Sequence, residues 1–218
     1  MKKTGLSIIL LGSILCLLVL WLSGCTTPTG PLLQNYTLIP NESQMKDTFV
    51  SSIDTFDNFD GLPQLDAGTL WNSGAIERIY LQFDLSAIPS NAVIAEAKVA
   101  LFFTTPASYV SIPLYIEVPI AVYAVEGYWD ESTLNWDNQP GAFYNYEDVK
   151  TLGEETLDYV YWDITNLVQK WVSGIKPNYG IRLADEDEMT LDDIKVFSSS
   201  SSAHTIQRPK LFISYYIP

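Results

Sequence analysis

The sequence predicts an all-β fold: a jelly-roll-like antiparallel β-sandwich with one short helix, preceded by a lipoprotein signal peptide. Three observations carry this. Apolar and polar residues alternate over many short runs, the period of a strand with one buried face. Clusters of Gly, Pro, Asn and Asp separate those runs, as turns do. Only residues 164–172 show helical apolar spacing, and no Pro/Gly/Ser-rich linker divides the chain.

The leader comes first. Lys2 and Lys3 precede an uncharged run, mostly Leu, Ile and Val, that ends in Leu22-Ser23-Gly24-Cys25. Basic, apolar and then small residues are the layout of a secretion signal. The ending resembles a bacterial-type lipobox, in which the cysteine sulfur takes a diacylglyceryl group and becomes the new N-terminus. The expectation is a signal peptide over 1–24 and a lipidated Cys25. A short spacer over 25–45 and a single domain over 46–218 follow. A plain transmembrane anchor is the simpler alternative, since about 20 apolar residues suffice to cross a bilayer. Either way the domain is expected on the extracytoplasmic face of the cell envelope, attached to a membrane.

The elements then follow in order. Residues 47–53 read as a first strand and 55–66 as a loop. Residues 68–71 read as a short strand. In 76–85, Ile79, Leu81, Phe83 and Leu85 share one face, with Arg78, Tyr80, Gln82 and Asp84 on the other. After a turn at 86–90, residues 92–104 form a strand with Ala97, Val99, Leu101 and Phe103 inward. Residues 114–125 are a strand region whose Pro119 suggests an edge or a bulge. A strand over 157–163 leads into the helix, capped by Asp163 or Thr165 and ended by Ser173-Gly174. Strands over 179–184, 194–198 and 210–216 close the fold.

Composition narrows the function. The 26 acidic residues all follow Cys25, and Lys2 and Lys3 leave with the leader. Ten basic residues then face 26 acidic ones, a net charge of −16. This argues against nucleic acid or an anionic membrane surface as partner. The only other cysteine, Cys16, lies in the leader, so the mature domain has no disulfide. Its stability must come from its core, with a structural calcium as a candidate aid. The sequence includes 6 Trp, 13 Tyr and 9 Phe, of which one Trp is in the leader.

The order of motifs resembles the DNRLRE domain family, related to a carbohydrate-binding module family that includes alginate binders. The resemblance runs from Lys46-Asp47-Thr48-Phe49-Val50 through Arg78-Ile79-Tyr80-Leu81-Gln82-Phe83-Asp84-Leu85 and Ile94-Ala95-Glu96-Ala97-Lys98-Val99. It continues through Trp129-Asp130-Glu131-Ser132-Thr133-Leu134-Asn135-Trp136 to Trp162-Asp163-Ile164-Thr165-Asn166-Leu167. It ends with Asn178-Tyr179-Gly180-Ile181-Arg182 and Arg208-Pro209-Lys210-Leu211. It implies a non-catalytic, polysaccharide-binding β-sandwich. The family often carries an acidic residue after a Ser-Ser pair near Phe197; here residues 198–202 are all serine.

Candidate residues follow from chemistry. Sugar rings stack on aromatic faces, and their hydroxyls want polar partners. Trp129, Trp136 and Trp171 belong to the family signature and are assigned to the core. The ligand-binding candidates are Trp71, Arg78, Tyr80, Gln82, Tyr144, Tyr146, Tyr159 and Tyr161. Arg78, Lys98 and Arg182 are the conceivable partners of an anionic sugar. The acidity of the domain favours a neutral or calcium-associated glycan instead. Asp54, Asp57 and Asp60, with Asp185 and Asp187, offer oxygen ligands for calcium; a solvated acidic loop is the simpler reading.

No enzyme is expected. The single histidine, His204, sits in a Ser-rich loop, and no metal, thiol or phosphate-loop motif is present. Asp130, Glu131 and Asp137 are the only carboxylates that suggest a glycosidase, and flanking tryptophans make them braces of a loop. A structural or adhesive envelope protein making protein–protein contacts is the rival class, and a polysaccharide lyase or glycoside hydrolase comes last.

Overall fold

The computed structural model describes residues 30–38, 44–70, 73–104, 117–153, 157–189 and 193–218. The expected signal peptide, Cys25 and Trp71 lie outside the described residues. Residues 31–218 form one compact unit.

Its described residues form eleven strands, one α-helix and a short 3-10 turn at Thr205–Gln207. They are β1 (Gln34–Leu38), β2 (Met45–Ser51), β3 (Gln64–Leu70), β4 (Ala75–Phe83), β5 (Val93–Thr104), β6 (Val118–Ala124), β7 (Asp148–Leu152) and β8 (Tyr159–Asp163). Helix α1 (Thr165–Val172) follows, then β9 (Ile181–Asp185), β10 (Ile194–Ser198) and β11 (Lys210–Tyr216). Every pairing is antiparallel. One sheet runs β1-β11-β5-β8. In the other, β2 lies along one edge of β4, while β3 and then β9 share its opposite edge. β3 leads on to β10, and β9 leads on to β6 and β7. The last residues of β5 pair with β10 and join the two sheets.

The predicted alternation places the core between the sheets. Ile79, Leu81 and Phe83 of β4 meet Ala97, Val99, Leu101 and Phe103 of β5, together with Phe197, Leu211 and Ile213. Trp162 is fully buried, and its indole N–H donates to the Ile120 carbonyl at 2.9 Å. Its apolar area is therefore sequestered without leaving a donor unpaired.

Helix α1 covers one end of this core with Leu167 and Val168. The N-cap position is Ile164, with no side-chain cap, so neither Asp163 nor Thr165 caps the helix as expected; Asp163, one residue earlier, accepts the Thr165 backbone N–H at 2.8 Å. Thr165 instead accepts the Ala97 N–H at 2.9 Å and so ties the helix to β5. Gly180 has φ 86°, and a β-carbon there would lie 2.1 Å from the Leu81 carbonyl oxygen. Only glycine lets the chain turn into β9 this close to β4.

The structure corrects several element boundaries. β3 begins at Gln64, inside the stretch read as loop. β7 has no counterpart in the sequence reading. Neither does β1, which lies in the expected spacer and pairs with β11 as an edge strand. Pro119 does not mark an edge, because β6 runs between β7 and β9. It is the second residue of its strand, one position before the ladder with β9 begins at Ile120, so its missing N–H breaks no bond there.

Candidate functional site

The two outer faces of the sandwich differ. On the second sheet, residues facing away from the core form a second apolar cluster of Val50, Tyr80, Val125, Trp129 and Leu134. The loop 126–147 folds back over this face. Its anchors are specific. The Trp129 indole N–H donates to the Tyr179 carbonyl at 2.8 Å, and its ring meets Tyr80 edge-on at 5.7 Å. Glu131 accepts the Asp47 backbone N–H at 2.6 Å. The Asn58 side-chain amide donates to the carbonyls of Glu131 and Leu134 at 2.8 and 2.7 Å. Asp130 accepts from both the backbone and the hydroxyl of Ser132. The carboxylates of the Trp-rich motif thus brace the loop. Burial of the Glu131 carboxyl, with the charges of Asp47 and Asp60, pushes its pKa up to about 7.

This cover decides the fate of the residues predicted on β4. Tyr80 is fully buried, and its hydroxyl is placed 3.0 Å from both the Gln139 side-chain oxygen and the Pro140 carbonyl. Its ring is therefore not a ligand-stacking surface, which corrects the sequence expectation. Arg78 forms a fork-like pair with Glu188, stacks over Trp136 at 4.4 Å and donates to Gln139 at 3.0 Å. Gln82 donates to the Asn178 carbonyl at 2.6 Å. All three side chains hold the covering layer in place.

Beyond the anchored part, the loop stands off the sheet and leaves an open cleft of about 800 Å³. One wall is aromatic: Phe143, Tyr144 and Tyr146, with Tyr144 96 % exposed. Tyr146 meets Tyr123 of β6 edge-on at 6.2 Å. The rest of the lining is mostly polar: Arg182, Asp185, Glu186, Asp187 and Glu188, with the exposed Met189 at its end. The Arg182 guanidinium lies over the Tyr123 ring at 5.1 Å. Two groups of predicted residues, Tyr144 with Tyr146 and Asp185 with Asp187, thus come together across one cleft. Tyr123, Phe143, Glu186 and Glu188 were not among the sequence candidates. Tyr123 sits in a run that reads as core, and nothing local marks it as reaching the cleft floor.

Tyr159 and Tyr161 belong to the opposite outer face, on the first sheet. With Phe102 and Phe212 they form a ladder of rings 5.3 to 6.3 Å apart. The Tyr159 hydroxyl donates to the Ile206 and Arg208 carbonyls, and the Lys210 ammonium lies over its ring at 3.9 Å. Tyr161 is 44 % exposed. These two tyrosines share no surface with Tyr144 and Tyr146.

Asp54, Asp57 and Asp60 are exposed on a turn-rich loop. Asp185 is buried, whereas Asp187 is exposed. Among the described residues, no three Asp, Glu, His or Cys side chains are grouped to hold a metal ion. Neither expected set, at 54–60 or at 185–187, brings three such side chains together; in the second, Asp185 and Asp187 accept the backbone N–H groups of Asp187 and Met189 at 3.1 and 3.2 Å.

A family profile described as carbohydrate-binding module family 96 matches residues 40–215. The match spans the sandwich, the covering loop and the cleft, and the chain belongs to that family. No curated protein matches the chain.

Proposed function

We propose that this member of carbohydrate-binding module family 96 is a surface-anchored lipoprotein whose non-catalytic domain binds polysaccharide in the cleft between Tyr144 and Arg182. The family supports carbohydrate as the ligand class. The cleft is the observation that carries its location: exposed rings on one wall, hydrogen-bonding and charged groups on the other. Aromatic faces take the apolar faces of pyranose rings, and polar groups take the hydroxyls. Four acidic residues line it against one arginine, which favours a neutral or calcium-associated glycan over a bare polyanion. Two of the three carboxylates that suggested hydrolysis, Asp130 and Glu131, are engaged in bracing the loop. Lipid on Cys25 supplies the attachment that a partner enzyme gives other binding modules. Two or more acyl chains make such a tether durable.

Glycan-array binding by the full chain tests this reading. Neutral glycans are expected to bind, and Tyr144→Ala to abolish the signal. No binding to any glycan sinks it. The rival reading, protein contact at the envelope, has the aromatic ladder around Tyr161 in its favour, because its rings pack on one another along the sheet with Tyr161 44 % exposed. Glycan binding lost in Tyr161→Ala but kept in Tyr144→Ala would move the site there.

A further inference from the structure

The first sheet has an outer face that the cleft does not use. Strand register puts Lys98, Ala100 and Phe102 of β5 between Tyr159 and Tyr161 of β8 on one side and Lys210 and Phe212 of β11 on the other. Tyr161 and Phe212 sit on strands separated by β5, yet their ring centroids are 6.0 Å apart. They lean together over Ala100, which points away from the core but is fully buried. The Tyr159 ring lies 6.3 Å from Tyr161, and the Lys210 ammonium caps it at 3.9 Å. The result is a strip of rings lying along the sheet, with a lysine on either side.

The chain enters the domain through the same sheet. β1 is its edge strand, paired with β11 from Gln34 opposite Tyr215. Leu32 and Leu33, just before β1, are 83 % and 56 % exposed. Only eight residues lie between Cys25 and Gln34. A segment of that length spans at most roughly 30 Å even when fully extended. Lipid on Cys25 therefore keeps β1, and the sheet it borders, close to the bilayer that holds the lipid. Tyrosine suits such a boundary, with its ring on the apolar side and its hydroxyl on the wet side. Lysine stems lie along apolar surface while their ammonium groups reach the headgroups.

We infer that the outer face of the first sheet, centred on Tyr161, docks on the interface of a lipid bilayer with zwitterionic headgroups. The inference rests on the reading of Cys25 as a lipid anchor. A zwitterionic surface sets no net repulsion against the acidic domain, as an anionic one does. The acyl chains hold the domain, and this face sets its orientation. Arg182 and Asp185 of the cleft belong to β9 in the other sheet, so the cleft is left turned toward the glycan.

The test uses the chain as the cell processes it, purified with its lipid and inserted into phosphatidylcholine vesicles brominated near the headgroup. Bromine quenches an indole on contact. Tyr161→Trp puts an indole on the docking face, and Tyr144→Trp puts one in the cleft. Relative to wild type, the added emission of Tyr161→Trp is expected to be lost in brominated vesicles and, in unbrominated ones, shielded from aqueous acrylamide. Tyr144→Trp is expected to keep its emission and stay open to acrylamide. Phe212→Trp takes the place of Tyr161→Trp should that variant fail to fold. An unquenched indole on the face overturns the inference and leaves the anchor and the cleft standing. Equal quenching of both variants also overturns it, because the domain then has no preferred face. Shielding from acrylamide without bromine quenching does the same, since a second copy of the chain or another protein then covers the face. A mature chain whose mass shows no lipid on Cys25 removes the anchor and this inference with it.

Discussion

The two outer faces of the sandwich start from the same material and end differently. Each presents aromatic side chains in strand alternation, Tyr80 and Tyr123 on one sheet, Phe102, Tyr159, Tyr161 and Phe212 on the other. The first face is roofed by the loop 126–147, which buries Tyr80 and leaves a cleft only where it lifts away. Among the described residues no comparable loop covers the second, and its rings pack on one another along the sheet. An aromatic residue on a strand's outer face therefore has no fixed role. The loop that does or does not return over it decides whether the ring is core, cleft or open surface.

Breaking the roof tests this most severely. Trp129 is 4 % exposed, packs on Tyr80 and bonds Tyr179. Trp129→Ala is expected to cost about 3–5 kcal/mol in denaturant unfolding, the usual range for emptying such a site. Tyr161→Ala on the bare face is expected to stay within about 1 kcal/mol. Equal losses would show that the loop is decoration rather than structure.

The Arg78 anchor comes next. It links β4 to Glu188, Trp136 and Gln139, and the side chains of Arg78 and Glu188 are only 18 % and 22 % exposed. Arg78→Ala is expected to cost about 1–3 kcal/mol, measured by the same unfolding, since Glu188 and Gln139 lose a charged donor. Glycan affinity should fall as well, because Glu188 forms part of the cleft wall.

The cleft itself calls for a gentler variant. Tyr144→Phe keeps the ring and removes the hydroxyl. Its glycan affinity by calorimetry should remain within about threefold of wild type, whereas Tyr144→Ala should lose at least about tenfold, about 1.4 kcal/mol. Equal losses for both would assign the contact to the hydroxyl rather than to stacking.

The smallest expected effect is on pH. The folded pKa of Glu131, about 7, is raised above its ordinary value of 4.5. Its contribution to stability is complete below about 4.5 and is lost as pH rises through about 7. The groups facing it are Asp47, Asp60 and Lys46. The melting midpoint should fall between pH 5 and pH 8 by a few degrees, roughly, and Glu131→Gln should make that slope shallower, the remainder coming from Asp66 and Glu77, whose carboxyls burial raises to about 6 and about 8. A slope that is unchanged in the variant would place the titration elsewhere.

Much of the fold was legible in the sequence. The alternation at 76–85 and 92–104 gave β4, β5 and their inward residues, and Ser173-Gly174 ended the helix as expected. The strands that escaped notice, β1 and β7, are short edge strands with mixed polarity. Their pattern is weak because an edge strand buries little. Tyr144 and Tyr146 line the cleft, and their exposure was legible because loop aromatics in a Gly/Asn-rich stretch have no core to enter locally. Tyr80 was misread because alternation says which face a residue takes, not what covers that face.

The sequence by itself determined the period of each strand, the single helix, the acidity of the domain and the order of motifs that marks its family. These are local or additive properties, fixed by neighbouring residues and by composition. Only the tertiary structure decided that loop 126–147 closes over β4, that Tyr144 and Asp185 line one cleft, and that Tyr161 does not join them. Those placements depend on contacts such as Asp47 with Glu131 and Arg78 with Glu188, 84 and 110 residues apart in sequence. No local pattern encodes a pairing at that distance, because its free energy exists only once both segments are already folded.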